Sequence, residues 1–350
     1  MKLLYLFLFI LLVQCTNIVL GDTLTINDAN DWKALVTQAS GGSFPEEISL
    51  SGDLDLSGVE LSPLGVNAEG VCVPFTGTLN GNNHKIQNAK INKTDDAVFS
   101  DAGLFCGLGH GALIKDLIID ETCSFTGTMV GVFSPSAFGS VTMRQVTTKA
   151  SVNGINCTSG LIGTIINVSQ AEFIFDSCTV NAHLTMQSGN SFAGGFIGLF
   201  NDCTETNIII TKSSHEGIVR ASWGYAGGFI GLVQSNTKLA IIFEETKHTG
   251  TLPFGSYIGG FIGMLRGNQE MNVELKQASC EDLSAQDSTL GAHTGGFIGQ
   301  MYYNIDSSLF SQNLTTTGSL AGSLMGSGYC SFGCMSIVHR WNCWTSLYQQ

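Results

Sequence analysis

The chain has 350 residues, 28 of them acidic and 15 basic, for a net charge of −13 at neutral pH. With so few cations and no clusters of them, nucleic acids and anionic membranes are disfavoured as partners. Glycine occurs 43 times, which argues against long helices because each glycine costs a helix interior about 1 kcal/mol.

Residues 1–21 read as a secretory signal, with Lys2 at the positive end, Leu3–Val13 as the apolar stretch and Val19-Leu20-Gly21 at the cleavage site. The stretch falls short of the roughly 20 residues a membrane span needs, so a retained signal anchor is the lesser alternative. No other segment is long enough to span, and the C-terminal residues lack the apolar tail of a lipid-anchor signal. A secreted or cell-surface protein is expected, with no transmembrane span apart from the signal segment.

Residues 22–45 follow as an N-terminal cap segment. Asn27-Asp28-Ala29-Asn30-Asp31-Trp32 leads into Lys33–Ala39, the one helical pattern of the chain, which Asp28 or Asn30 can cap. A helix there would cover the open end of a coil.

From residue 46 to 328 the sequence repeats. Gly-Gly-Phe-Ile-Gly stands at Gly194–Gly198, Gly227–Gly231, Gly259–Gly263 and Gly295–Gly299. Degenerate copies start at Ala102, Val130, Ser159 and Gly322. Aligned on Leu104, Val132, Leu161, Phe196, Phe229, Phe261, Phe297 and Leu324, the copies are 28, 29, 35, 33, 32, 36 and 27 residues apart. Such a period marks a solenoid or an array. Each unit holds three short apolar runs, for example Phe196–Phe200, Ile208–Ile210 and Ile218–Val219, whose length and β-branched content indicate strands. The fold class predicted is all-β, a right-handed parallel β-helix of about 10 rungs, stacked about 4.8 Å apart. A propeller of hairpins is the alternative, but the Asn-Gly and Asp-Gly turns that hairpins favour are missing. The glycines are expected to allow a tight corner or a close backbone approach.

Ten cysteines follow the signal, and in an oxidising compartment disulfides are expected rather than metal sites. Cys72 and Cys106 are 34 residues apart, about one rung, as are Cys123 and Cys157. Stacked neighbours fall within the span a disulfide accepts, so at least one of these pairs is predicted to be bridged. Asn92, Asn156, Asn167 and Asn313 head glycosylation sequons. Residues 329–350 form a tail rich in cysteine and aromatic side chains, in which Cys330-x3-Cys334-x8-Cys343 lacks zinc-like partners apart from His339, so that metal binding there is the lesser alternative.

A run of elements between Asp28 and Asp120 is more specific than the phrase alone. It comprises Leu50-Ser-Gly-Asp-Leu-Asp-Leu-Ser-Gly58, Pro63-Leu64-Gly65, Phe75-Thr-Gly-Thr-Leu-Asn-Gly-Asn-Asn-His-Lys-Ile-Gln-Asn88, Ala102-Gly-Leu-Phe-Cys-Gly-Leu108 and Gly111-Ala-Leu-Ile-Lys-Asp-Leu117. In order and spacing it resembles microbial surface proteins that carry the GLUG motif on a pectin-lyase-like β-helix. With the looser later repeats the likeness extends over about 300 residues. It implies a secreted or surface-displayed β-helix, often in adhesin-like proteins, and brings no catalytic residues with it.

An enzymatic reading has one candidate. Asp95-Asp96 followed by Gly109-His110-Gly111 resembles the aspartate pair and Gly-His-Gly of pectin-degrading glycosidases, which need two carboxylates at a set separation. The companion Asn-Thr-Asp and Arg-Ile-Lys elements are absent, and the segment falls where a turn is expected. Asp116, Asp120, Glu121, Glu244 and Glu245 read as solvated strand ends, with weak calcium binding as the alternative.

Two residues before each Gly-Gly stand Phe192, Tyr225, Tyr257 and His293, a column of rings. Simple strand alternation would put it on the same face as Phe196, as an internal stack. The alternative is an exposed strip holding sugar faces or a partner, with Trp223 beside Tyr225, Tyr257 and His293 as ligand-binding candidates. The sequence thus points to a non-enzymatic protein of adhesion or recognition, without cofactor or metal, its partner a carbohydrate or a host cell-surface protein. A carbohydrate-active lyase or hydrolase and a structural coat or wall protein are the alternatives.

Overall fold

A computed structural model describes residues 22–94, 99–187, 191–221, 224–280, 293–302, 312–317, 325–329 and 335–340, with side chains through 300 apart from Phe254 and His293. Residues 1–21, Asp95, Asp96, Trp223, Cys330, Cys334 and Cys343 lie outside the described residues, as do the side chains of Asn313 and His339.

Among the described residues every strand pairing between successive units is parallel, and the chain winds as a β-solenoid whose stack is eleven strands deep in one sheet and seven in another. Three sheets make its walls. The unit around Phe229 shows the pattern. Tyr225–Gly227 belongs to the second sheet, Ile230–Gln234 to the third and Thr237–Glu244 to the first. Lys247–His248 continues the first sheet, and Thr251–Phe254 returns to the second.

The repeated phrase lies at the junction of the second and third sheets. Phe196, Phe229, Phe261 and Phe297 stack in one fully buried column with ring centroids 4.8, 4.7 and 4.8 Å apart. Below them Ile162 pairs with Ser134, so Phe133 rather than Val132 stands under Leu161. A one-residue slip of this kind is invisible in a degenerate copy of the phrase.

Among the described residues none of the phrase glycines has a positive φ. They are small for want of space. A Cβ on Gly263 would meet the Ala226 carbonyl at 2.9 Å, and one on Gly299 would lie 2.7 Å from Ile258. The tight corners use other residues. Asn167, Asp202, Ser235 and Gly267 form one left-handed column, with φ of 59°, 53°, 55° and 60°. Gln170, Glu205, Lys238 and Glu270 form a second, and Ser177, Lys212, Glu245 and Gln277 a third. For a non-glycine residue this conformation costs about 1–2 kcal/mol. Side-chain contacts along the second column offset part of it, Glu205 accepting from Gln170 Nε2 at 3.3 Å and from Lys238 Nζ at 2.8 Å.

At the N-terminal end, helix α1 spans Ala29–Ser40, and Asp28 caps it by accepting from the backbone nitrogens of Asn30 and Asp31. Trp32, Leu35 and Ala39 are buried in the same core as Ile48 and Leu79 of the first turns. The helix therefore covers core that the first turn would otherwise expose. Among the described residues no helix is long and apolar enough to cross a membrane.

Candidate binding face

Gly194 and Gly195 break the strand alternation at the junction of two sheets. Phe196 points inward, but Phe192 does not share its face. Ala193 is buried in the core, whereas Phe192, Tyr225 and Tyr257 are partly exposed and pack on Cys157, Leu199, Leu232 and Met264. The third sheet has its own irregularity at Gly198, where Ile162 pairs with Ile197 and Thr164 with Leu199. Leu199 thus faces outward while Ile197 and Phe200 belong to the core. The outward side chains of the two sheets lean together into a second apolar cluster, an outer seam running along the coil.

The seam is built from three columns. The first reads Met129, Cys157, Phe192, Tyr225, Tyr257 and His293. The second is Thr164, Leu199, Leu232, Met264 and Gln300, and beside it run Ile166, Asn201, Gln234 and Arg266. The rings stack along the axis, Phe192 on Tyr225 at 5.5 Å and 21°, Tyr225 on Tyr257 at 5.0 Å and 10°. An internal aromatic stack is therefore not what forms. The glycine corner turns the column outward, and the side chains of the adjoining sheet support it. Burial pushes the Tyr225 phenol up, Tyr257 adds to this, and a hydrogen bond from the Arg266 side chain acts against it. At the N-terminal end of the seam, burial raises the Asp101 carboxyl, although it accepts from the Met129 backbone nitrogen at 3.0 Å.

Other sequence candidates fall elsewhere. His110 is exposed in the turn before Ala112–Ile119, where Gly111 takes φ +89°. Asp120 accepts from the backbone and hydroxyl of Thr122, closing its own turn. Cys72 and Cys106 are bridged. Cys123 and Cys157 are not, and both are buried thiols. The physical reason is register. Ser124 pairs with Ser151, which sets Cys123 beside Ala150, whereas Cys157 pairs with Met129. Burial pushes the Cys123 thiol up to about 11 and holds that of Cys157 higher still. Asn156 and Asn167 are exposed, Asn167 on a left-handed corner, and Asn92 accepts from the backbone and hydroxyl of Thr94.

One chemistry-bearing column escaped sequence reasoning. Val180, His215, His248 and Cys280 stand in register inside the coil. The two imidazoles are fully buried and stacked at 5.0 Å, with Nδ1 atoms 3.0 Å apart, so one ring donates to the other. Neither Nε2 has a partner. Burial pushes both below the ordinary histidine value, His248 to about 4. Their equivalent places, His215-Glu216-Gly217 and His248-Thr249-Gly250 in consecutive units, were the available signal. Among the described residues no group of three or more His, Cys, Asp or Glu side chains is arranged to hold a metal ion.

No protein-family model matches the chain. A segment of 91 residues, 26% of the chain, is 35% identical to halomucin of Haloquadratum walsbyi, and that match covers 1% of halomucin's length. A crystal structure of a Bacteroides ovatus protein, provisionally named an immunoglobulin A1 protease, superposes with a TM-score of 0.57 at 14% identity, covering 84% of each chain. A second structure, described as an IgA1 protease, gives a TM-score of 0.49 at 16% identity over 85% of this chain and 21% of that one. The first superposition shows a shared solenoid fold.

Proposed function

We propose that this is an extracellular, non-enzymatic recognition or adhesion protein, akin to the GLUG-motif surface proteins, which binds its partner along the outer seam. The observation that carries the reading is the seam itself. Partly exposed rings from successive turns, seated on a separate apolar cluster, form a continuous strip outside the core. A hydrophobic core does not require such a strip, and rings that stay partly wet while held rigid suit binding, since little side-chain entropy is left to lose. The stretch of similarity to halomucin supports an extracellular setting. The fold shared with the Bacteroides ovatus protein carries no protease activity across at 14% identity.

An attachment assay tests this. Labelled protein is applied to host cells, extracellular matrix and cell-wall preparations, and the double variant Tyr225→Ala/Tyr257→Ala is compared with His110→Ala. Loss of attachment in the first and retention in the second is expected. Full attachment by the double variant would sink the reading. Polysaccharide cleavage that disappears with His110→Ala would establish the carbohydrate-active alternative instead.

A further inference from the structure

We infer that the outer seam takes an extended, uncharged, hydroxyl-rich polymer laid along the coil axis, the chemistry of an unbranched, β-linked neutral glycan. This rests on the recognition reading above and narrows it to one ligand class.

The ring geometry comes first. Tyr225 is stacked between Phe192 and Tyr257 at 5.5 and 5.0 Å, with interplanar angles of 21° and 10°. Both faces of its ring are therefore covered by protein, and a sugar cannot stack on them. The seam instead presents ring edges and phenol oxygens. The Tyr225 oxygen is engaged by the Arg266 side chain. Arginine only donates, so the phenol keeps its own proton to give to a ligand oxygen. Beside it, Gln234 precedes Arg266 in the same column and offers an amide, which both donates and accepts, whereas Asn201 before it already donates to Asp202 Oδ2 at 2.6 Å and buries its own Oδ1.

Charge narrows the class further. In the columns Phe192–Tyr225–Tyr257, Leu199–Leu232–Met264 and Asn201–Gln234–Arg266, Arg266 is the single charged side chain and there is no carboxylate. A polycation meets Arg266 on the strip and carboxylates only at its margins, where Asp202 accepts from Asn201 and Asp101 from the Met129 backbone, and a polyanion must approach a chain of net charge −13. A neutral ligand meets neither penalty.

Period decides between polymers. Chemically similar positions recur once per turn, at the roughly 4.8 Å spacing of neighbouring strands. A polypeptide strand laid along the axis advances about 3.3 Å per residue and falls out of step. An extended β-linked pyranose chain advances one sugar in a distance close to one turn, so successive hydroxyls meet successive turns.

Calorimetry of the whole chain with cello- and manno-oligosaccharides of increasing length, and with polygalacturonate, tests the inference. Affinity should rise along at least one neutral series, and polygalacturonate should not bind. Tyr225→Phe and Tyr257→Phe keep ring and stack and remove only a hydroxyl. Each should weaken binding about 2–10-fold, the worth of one hydrogen bond, with the β-type circular dichroism spectrum of the fold retained. Absence of binding by every neutral oligosaccharide, or binding indifferent to both Phe variants, would overturn the ligand class, as would tighter binding of polygalacturonate. Cell attachment that still required Tyr225 and Tyr257 while no glycan bound would overturn this inference and leave the recognition reading standing.

Discussion

A methyl group added at Gly231 would lie 2.6 Å from the Gly198 carbonyl oxygen and 2.8 Å from both the nitrogen and the oxygen of Ala193. All three are backbone atoms of ladders paired on both sides, so they cannot yield cheaply. Gly231→Val should therefore lower stability by about 1–3 kcal/mol through overpacking, visible as an earlier thermal transition. An unchanged melt would show that the small column is not a packing constraint. The buried imidazoles make a second prediction at this scale. A histidine held below its ordinary 6.5 in the fold binds its proton more readily when unfolded. Stability is then fully present above pH 6.5 and falls as the pH drops towards the folded value of about 4 for His248. The loss is roughly 3 kcal/mol across that window for one such group. His248→Phe should flatten this slope in melting curves recorded between pH 7 and 4. A slope unaltered by the substitution would place the acid sensitivity elsewhere, for instance among carboxylates.

Between Leu64, which bridges to Phe105, and Phe75, which bridges to Leu108, the chain leaves the coil in a small excursion closed by Val66 and Cys72. The Cys72–Cys106 bond ties that excursion to the next turn and closes a loop of 34 residues. Loop-closure entropy gives such a cross-link about 3–4 kcal/mol, so Cys72→Ser/Cys106→Ser should melt clearly earlier. Non-reducing peptide mapping should recover this pair linked and leave Cys123 and Cys157 open to alkylation only after unfolding. A Cys123–Cys157 cross-link would contradict the register. The one-rung spacing of Cys72 and Cys106 was readable because both lie near the same wall. The equal spacing of Cys123 and Cys157 misled because corner lengths vary between units. The same division runs through the other elements. The phenylalanine column and α1 follow from a repeated phrase and a capping aspartate, both local patterns. The outward turn of Phe192, Tyr225 and Tyr257 depends on a bend at Gly194–Gly195 that reverses alternation, and no residue count reveals a bend. Nor do Lys212, Lys238 or Glu205 announce left-handed corners, because they occupy them only under the demand of the stacked coil.

In a solenoid each turn touches only its neighbours, so whole turns can be removed if the register is kept. Ile208 pairs with Ile241, and Ile241 with Val273. Deleting residues 208–240 thus joins Asn207 directly to Ile241, which takes the place Ile208 held, and every column closes over the gap. The cap helix, the disulfide and the walls on either side stay as they were. The shortened chain should fold, with a circular dichroism spectrum of the same β type and a somewhat lower melting temperature. It lacks Tyr225 and Leu232 and so has a seam one turn shorter, with Phe192 now next to Tyr257. If binding is spread along the seam, attachment should weaken with one turn removed and fail with residues 208–272 removed, since each lost turn takes a ring and its aliphatic support. His110 lies outside the deleted segment, so a catalytic centre in the turn around it would survive both deletions. A chain lacking residues 208–272 that folds and still attaches at full strength would show that the binding face lies elsewhere, on the N-terminal turns or beyond the described residues. Graded loss would show the opposite, that the length of the rod is itself the determinant of binding, with the repeated glycine phrase serving to keep the seam straight and in step.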